Sequence, residues 1–275
     1  MRFPFSFVKS SAAAAHDPAT DNLSLWLRTD SVSGTGATLA WASKASAGSS
    51  GSAAPMLHET SYGDTVEQPS TALDGHDSVL WTGTYPLLTS ADYLRTALLG
   101  AGDSTPASYT AAYVVQLLAS NTYAITGGGK VDVGNPTLLG NYYGEFAHAI
   151  MSDGGTAKFG VYHYNQDTAT GGGTTPFAWP GGFGGWGLAW VSYTSGGNVR
   201  VRVNGVDMVD ESIVPFQGPT GTDYTAYMGS MSGGSAAPEF RMVEAMVFPG
   251  QALSTPDMVT REQGYFKTRY PTLGL

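Results

Sequence analysis

The stretch that most constrains this chain is Val199-Arg200-Val201-Arg202-Val203, followed by Asn204-Gly205 and then Val206-Asp207-Met208-Val209. Both central residues of a type I′ turn need positive φ, which Asn-Gly tolerates, so the segment reads as a two-residue β-hairpin. Strand alternation puts Val199, Val201 and Val203 on one face, and an apolar face of that kind has to be covered by a second layer. The same style recurs along the chain. Leu23, Leu25 and Leu27 alternate, and Tyr109 to Leu118, Ala157 to Tyr164 and Trp186 to Tyr193 are β-branched and aromatic runs. Gly/Ser/Thr/Ala tracts at Ala45 to Ala54, Thr168 to Thr175 and Gly229 to Ala237 are loops rather than linkers, because strand patterns resume on each side. No fixed period repeats, which argues against propellers and solenoids.

One helix is expected near the end. Ser254 is placed as N-cap with Asp257 three residues on, Leu253 and Met258 form a hydrophobic staple, and Val259, Phe266 and Tyr270 recur at helical spacing. Gly264 inside it costs about 1 kcal/mol relative to Ala, so the helix depends on packing against a sheet. Many strands and one late helix give an all-β fold, a two-sheet antiparallel β-sandwich of jelly-roll type with a C-terminal helix. The expected organisation is an extended N-terminal arm over residues 1–22 and one sandwich domain over 23–275. Phe3, Phe5 and Phe7 alternate with Pro4 and Ser6, so an extended arm has one greasy side. That side either covers its own domain's edge or docks on another chain. Pro4, Ser6 and Lys9 interrupt the continuous apolar core that a secretory leader needs.

Composition narrows the partners. The 13 Lys and Arg against 22 Asp and Glu give a formal charge of −9, which repels nucleic-acid phosphates and anionic lipid surfaces. There is no Cys, which excludes disulfide scaffolds, thiolate zinc sites and cysteine catalysis. No apolar run approaches the ~20 residues of a membrane-crossing helix.

Segment order resembles the laminin-G-like branch of the concanavalin A-like lectin/glucanase superfamily. The residues that carry the resemblance are Leu25-Trp26-Leu27-Arg28-Thr29-Asp30, Leu39-Ala40-Trp41, Ser78-Val79-Leu80-Trp81-Thr82-Gly83, the hairpin Val199 to Val206, and a closing segment. That segment comprises Met242 to Phe248, Leu253-Ser254 and Tyr265 to Tyr270. The resemblance covers Leu23 to Pro271 and implies two stacked antiparallel sheets with a concave face. It implies no activity, because this fold hosts lectins, hydrolases and inert virion modules.

Glucanases of that superfamily carry Glu-x-Asp-x-x-Glu on one strand, and this motif is absent. Glu239 and Glu244 are five apart, which simple alternation puts on opposite faces, and Glu145 has no carboxylate two or four residues away. Gly127-Gly128-Gly129-Lys130 is followed by Val131 rather than Ser or Thr, and His58-Glu59 lacks the second His of a zinc protease. The five histidines, His16, His58, His76, His148 and His163, read as scattered strand or loop residues. No catalytic set, cofactor or metal is expected, with calcium at Asp153 the weaker alternative. The most pointed feature is Thr175 to Trp186, where Phe177, Trp179, Phe183 and Trp186 sit on a Gly/Pro loop. Phe177, Trp179 and Phe183, with Tyr142 and Tyr143 on another Gly-bounded loop, are candidates to contact a protein partner or a glycan, or else they plug their own sandwich. Trp186 opens a strand and is expected in the core, with Trp179 the more accessible ring.

These readings favour a non-enzymatic, multi-copy component of a bacteriophage-type virion, a capsid decoration or head-fibre protein anchored to other virion proteins by its arm. The alternatives are a secreted or surface glycan-binding module, found outside the cell, and a divergent glycoside hydrolase.

Overall fold

The computed structural model describes residues 14–45, 56–58, 66–67, 72–81, 87–93, 98–100, 108–119, 137–141, 146–153, 155–165, 170–215, 225–229 and 239–275. Phe3, Phe5, Phe7, Tyr142, Tyr143, Glu145 and the glycine run at 127–130 lie outside these residues.

In chain order the strands are β1 (Leu25–Ser33), β2 (Ala40–Ser43), β3 (Met56–His58), β4 (Val66–Glu67), β5 (Val79–Trp81), β6 (Leu87–Tyr93), β7 (Tyr109–Ala119), β8 (Thr137–Asn141) and β9 (Phe146–Asp153). They continue with β10 (Thr156–Asn165), β11 (Thr170–Gly173), β12 (Phe177–Ala178), β13 (Trp186–Tyr193), β14 (Asn198–Val203), β15 (Val206–Ser212), β16 (Thr225–Gly229) and β17 (Glu239–Pro249). One sheet runs β2-β1-β17-β7-β13-β14-β15 by antiparallel pairing. The other runs β3-β6-β16-β8-β9-β10, with β11 and β12 at its end, and β2 pairs β3 to join the two. This is the expected all-β antiparallel sandwich.

The expected hairpin is β14–β15, with Asn204 at φ 45° and Gly205 at φ 79°, the left-handed pair that a type I′ turn requires. Val199, Val201 and Val203 enter the core between the sheets with Tyr109, Tyr113, Val115, Val191, Ala245 and Val247 from the same sheet. Phe159 and Val161 come from the second sheet. Alternate residues of the first sheet, Trp26, Val114, Trp190, Met246 and Phe248, are also buried, because the C-terminal helix covers its outer face. Strands clad on both faces lose the polar half of their alternation, which is why β13 reads as almost wholly apolar.

That helix is α1 (Thr255–Arg261), a π-helical stretch Glu262–Phe266 and α2 (Lys267–Arg269). Ser254 and Asp257 form the expected capping box, each side chain accepting from the other's backbone N–H. The apolar stripe begins at Met258 rather than Val259, and Met258, Glu262, Phe266 and Tyr270 are buried at intervals of four. The π turn widens the helical repeat, so a stripe counted at 3.6 residues starts one residue too late. Arg202 locks the hairpin to this helix, donating from Nε to Glu262 Oε1 at 2.9 Å.

Candidate functional site

A buried acid organises the helix-clad face. Trp26 Nε1 and Tyr265 Oη donate to Glu244 Oε1 at 2.6 and 2.8 Å, and Tyr270 Oη donates to Oε2 at 2.6 Å. Arg269 Nε lies 3.3 Å from Oε2. Burial pushes the Glu244 carboxyl above its ordinary value, while the three donors and Arg269 pull it back. The alternation expected to separate Glu239 from Glu244 fails here. Between Met242 and Glu244 the pairing with β7 slips, and the core-facing positions change from Phe240 and Met242 to Ala245 and Val247. The bulge turns Glu244 towards the helix.

Above this network lies a pocket of about 430 Å³ lined by Ala15, His16, His76, Gly264, Tyr265, Thr268 and Arg269. Three distant segments make it. Residues 14–16 cross the π-helical stretch so closely that a Cβ on Gly264 would sit 2.7 Å from the Ala14 carbonyl oxygen, and His16 N donates to Gly264 O. The glycine that looks unfavourable as a helix former is the one that admits this crossing. Asp21 holds the segment, accepting from Arg261 Nη2 at 2.6 Å and lying 2.8 Å from His16 Nε2. On the opposite side, the turn at 73–76 presents His76 with Asp74 at φ 50°, and Asp74 accepts from the backbone N–H and hydroxyl of Thr272. Arg269 Nη2 lies 3.5 Å from His76 Nδ1, and burial together with Arg269 and Arg28 lowers the His76 pKa.

A second polar cluster is sealed between the sheets. Tyr109 Oη lies 3.0 Å from Nε2 of both His148 and His163, and Tyr113 Oη lies 2.6 Å from His148 Nδ1. Both imidazoles are fully buried; burial holds His148 well below its ordinary pKa and His163 down at about 3. Four of the five histidines that read as scattered therefore gather in pairs, His148 with His163 and His16 with His76. Register across β9 and β10 brings the first pair together, with Val161 opposite His148, and no local sequence signal announces it.

The aromatic loop behaves differently from expectation. Trp179, expected to be accessible, is 2% exposed and belongs to the core, whereas Trp186, expected in the core, is half-buried. Trp179 Nε1 donates to Gly185 O, and its ring fills the place where Gly187 would carry a Cβ, 2.5 Å from Cζ2. A ring so covered offers no stacking face. Phe177 and Phe183 are partly buried against the same core, with Phe177 edge-on to Phe159 at 5.8 Å. Asp153 ends β9 beside the turn glycine Gly155, at φ 84°, and among the described residues no group of three or more acidic or His side chains is placed to hold a metal ion.

No protein-family model matches the sequence, and no curated protein matches it. Solved structures do. The type G botulinum neurotoxin receptor-binding domain is similar with TM-score 0.56 and 10% identity over 90% of this chain and 52% of that one. A second structure of the serotype G binding domain gives 0.57 and 11% over 90% and 51%, and the receptor-binding domain of the C/D mosaic serotype gives 0.55 and 9% over 88% and 51%. The chain spans about half the length of these structures. At such identities the similarity concerns the fold alone, an antiparallel β-sandwich.

Proposed function

We propose that this chain is a non-catalytic binding module that attaches to a cell-surface glycan or protein, built on the laminin-G-like branch of the concanavalin A-like fold. One observation carries the reading, the superposition of 88–90% of the chain on domains whose described role is receptor binding. It is an argument from fold, and the presence of a polar pocket supports it. We place the module on a bacteriophage-type virion, in several copies, with Phe3, Phe5 and Phe7 of the N-terminal arm (residues 1–22) as its anchor and Phe177, Phe183, Tyr142 and Tyr143 as further contact residues.

Binding of the purified chain to arrayed bacterial and animal glycans and to intact cells tests the core of this reading. Saturable retention without release of reducing ends is the expected result. Turnover of any arrayed glycan overturns it in favour of a hydrolase. A chain beginning at Ala14 keeps the Asp21–Arg261 contact and should fold and bind glycan while failing to join particles.

A further inference from the structure

The pocket combines features that the fold does not otherwise require. Three local irregularities meet there: the π-helical stretch that supplies Gly264 and Tyr265, the side-chain-free crossing at Gly264, and the positive φ of Asp74 in the turn that carries His76. π-helical turns and left-handed non-Gly residues are sparsely populated and concentrate at binding sites. The volume of about 430 Å³ lies in the range of small-ligand pockets.

The lining chemistry has one sign. In a chain with 22 acidic and 13 basic residues, the wall carries no carboxylate among the described residues: its polar side chains are those of His16, His76, Tyr265, Thr268 and Arg269. The nearby acids are already held. Glu244 receives three neutral donors besides Arg269, Asp21 is held by Arg261 and His16, Asp74 by Thr272, and Asp30 by Arg28 and Lys44. Arg269 uses Nε towards Glu244 and Tyr270 and Nη2 towards His76, and the residue lines the cavity. A guanidinium backed by imidazoles and a hydroxyl matches the planar geometry of a carboxylate.

We propose that this pocket binds the carboxylate of an acidic monosaccharide unit, a hexuronate, with Arg269 meeting the charge and His76 and Thr268 meeting ring hydroxyls. The proposal deepens the binding-module reading and rests on it. Its test uses the full chain and amide chemical-shift titration with galacturonate, galactose and inorganic phosphate. Galacturonate at about 10 mM should shift Gly264, Thr268, Arg269 and His76, while galactose and phosphate should bind at least about tenfold more weakly. Thr268 is exposed, so Thr268→Glu puts a negative charge at the mouth without touching the Glu244 network. It should weaken galacturonate about tenfold or more with the melting temperature retained, and Thr268→Gln should restore binding. Equal binding of galactose, stronger binding of phosphate, or indifference to Thr268→Glu overturns the proposal. Retention on arrayed glycans or cells with no galacturonate shifts defeats the pocket assignment alone, whereas catalytic turnover defeats the binding-module reading whatever the pocket holds.

Discussion

The aromatic loop and the polar pocket are built in opposite ways. The loop is one contiguous run, Phe177 to Trp186, whose largest central ring turns inward onto Gly187 and Phe159. The pocket draws on residues 15, 16, 76, 264, 265, 268 and 269, which come from three segments far apart in the sequence, and most of them carry polar side chains. Burying apolar area contributes about 25 cal/mol per Å², so a flexible Gly-rich loop lets a large ring find the core as readily as it displays one. Donors gather at the other region because a carboxylate buried beneath it has to be satisfied. Aromatic density in a loop therefore reports a capacity for burial, and a binding surface has to be found from what the fold brings together.

The contrast breaks most visibly at Trp179. Trp179→Ala should destabilise by about 3–5 kcal/mol in chemical denaturation, as expected for a core aromatic, while half-buried Phe183→Ala should lose well under half of that. Equal, small losses would mean that the loop is a surface feature after all. Arg269→Ala tests the other region. It leaves Glu244 buried with neutral donors only, and should cost about 2–3 kcal/mol, part of which Glu244→Gln in the same chain should recover because no charge then remains to be paired.

Acid sensitivity sharpens the comparison, because it separates sealed imidazoles from those at the pocket. The folded pKa of His163, about 3, lies below the unfolded value near 6.5, so the unfolded chain takes up the proton first. Stability is intact above that upper value, falls as pH drops through the window, and stops falling near the lower one. At about pH 5 the loss from His163 is roughly 2 kcal/mol, and His148, shifted in the same direction, adds to it. His163→Gln should flatten the pH dependence of unfolding, whereas His76→Gln, at a half-exposed position, should change it less.

Local chemistry was legible in the sequence, and long-range convergence was not. Asn204-Gly205 dictated the hairpin, and Ser254 with Asp257 dictated the helix start, because each depends on backbone needs within four residues. The bulge before Glu244, the π turn and the meeting of His148 with His163 depend on pairing partners far along the chain. Alternation and 3.6-residue counting cannot register an inserted residue, so each puts its residue, Glu244 or Val259, one position away from where packing does. Gly264 carried a signal, an unfavourable residue inside a good helix, but its meaning required the N-terminal segment that crosses it.

The smallest expected effect concerns that crossing. Asp21 is nearly buried and bridges Arg261 and His16, yet it lies close to solvent on a short segment whose remaining ties to the helix include the His16 backbone bond to Gly264. Asp21→Asn keeps the shape and some hydrogen bonding while removing the charge, and partly exposed pairs are worth only about 0.5–1 kcal/mol. Melting should therefore move by a few degrees at most. The same substitution loosens the segment that walls the pocket and frees His16 from its carboxylate, so galacturonate shifts at His16 and Gly264 should change although the sandwich does not. If Asp21→Asn instead lowers stability as much as Trp179→Ala, residues 14–22 are part of the sandwich's structural core, and the pocket has a rigid wall rather than a strap.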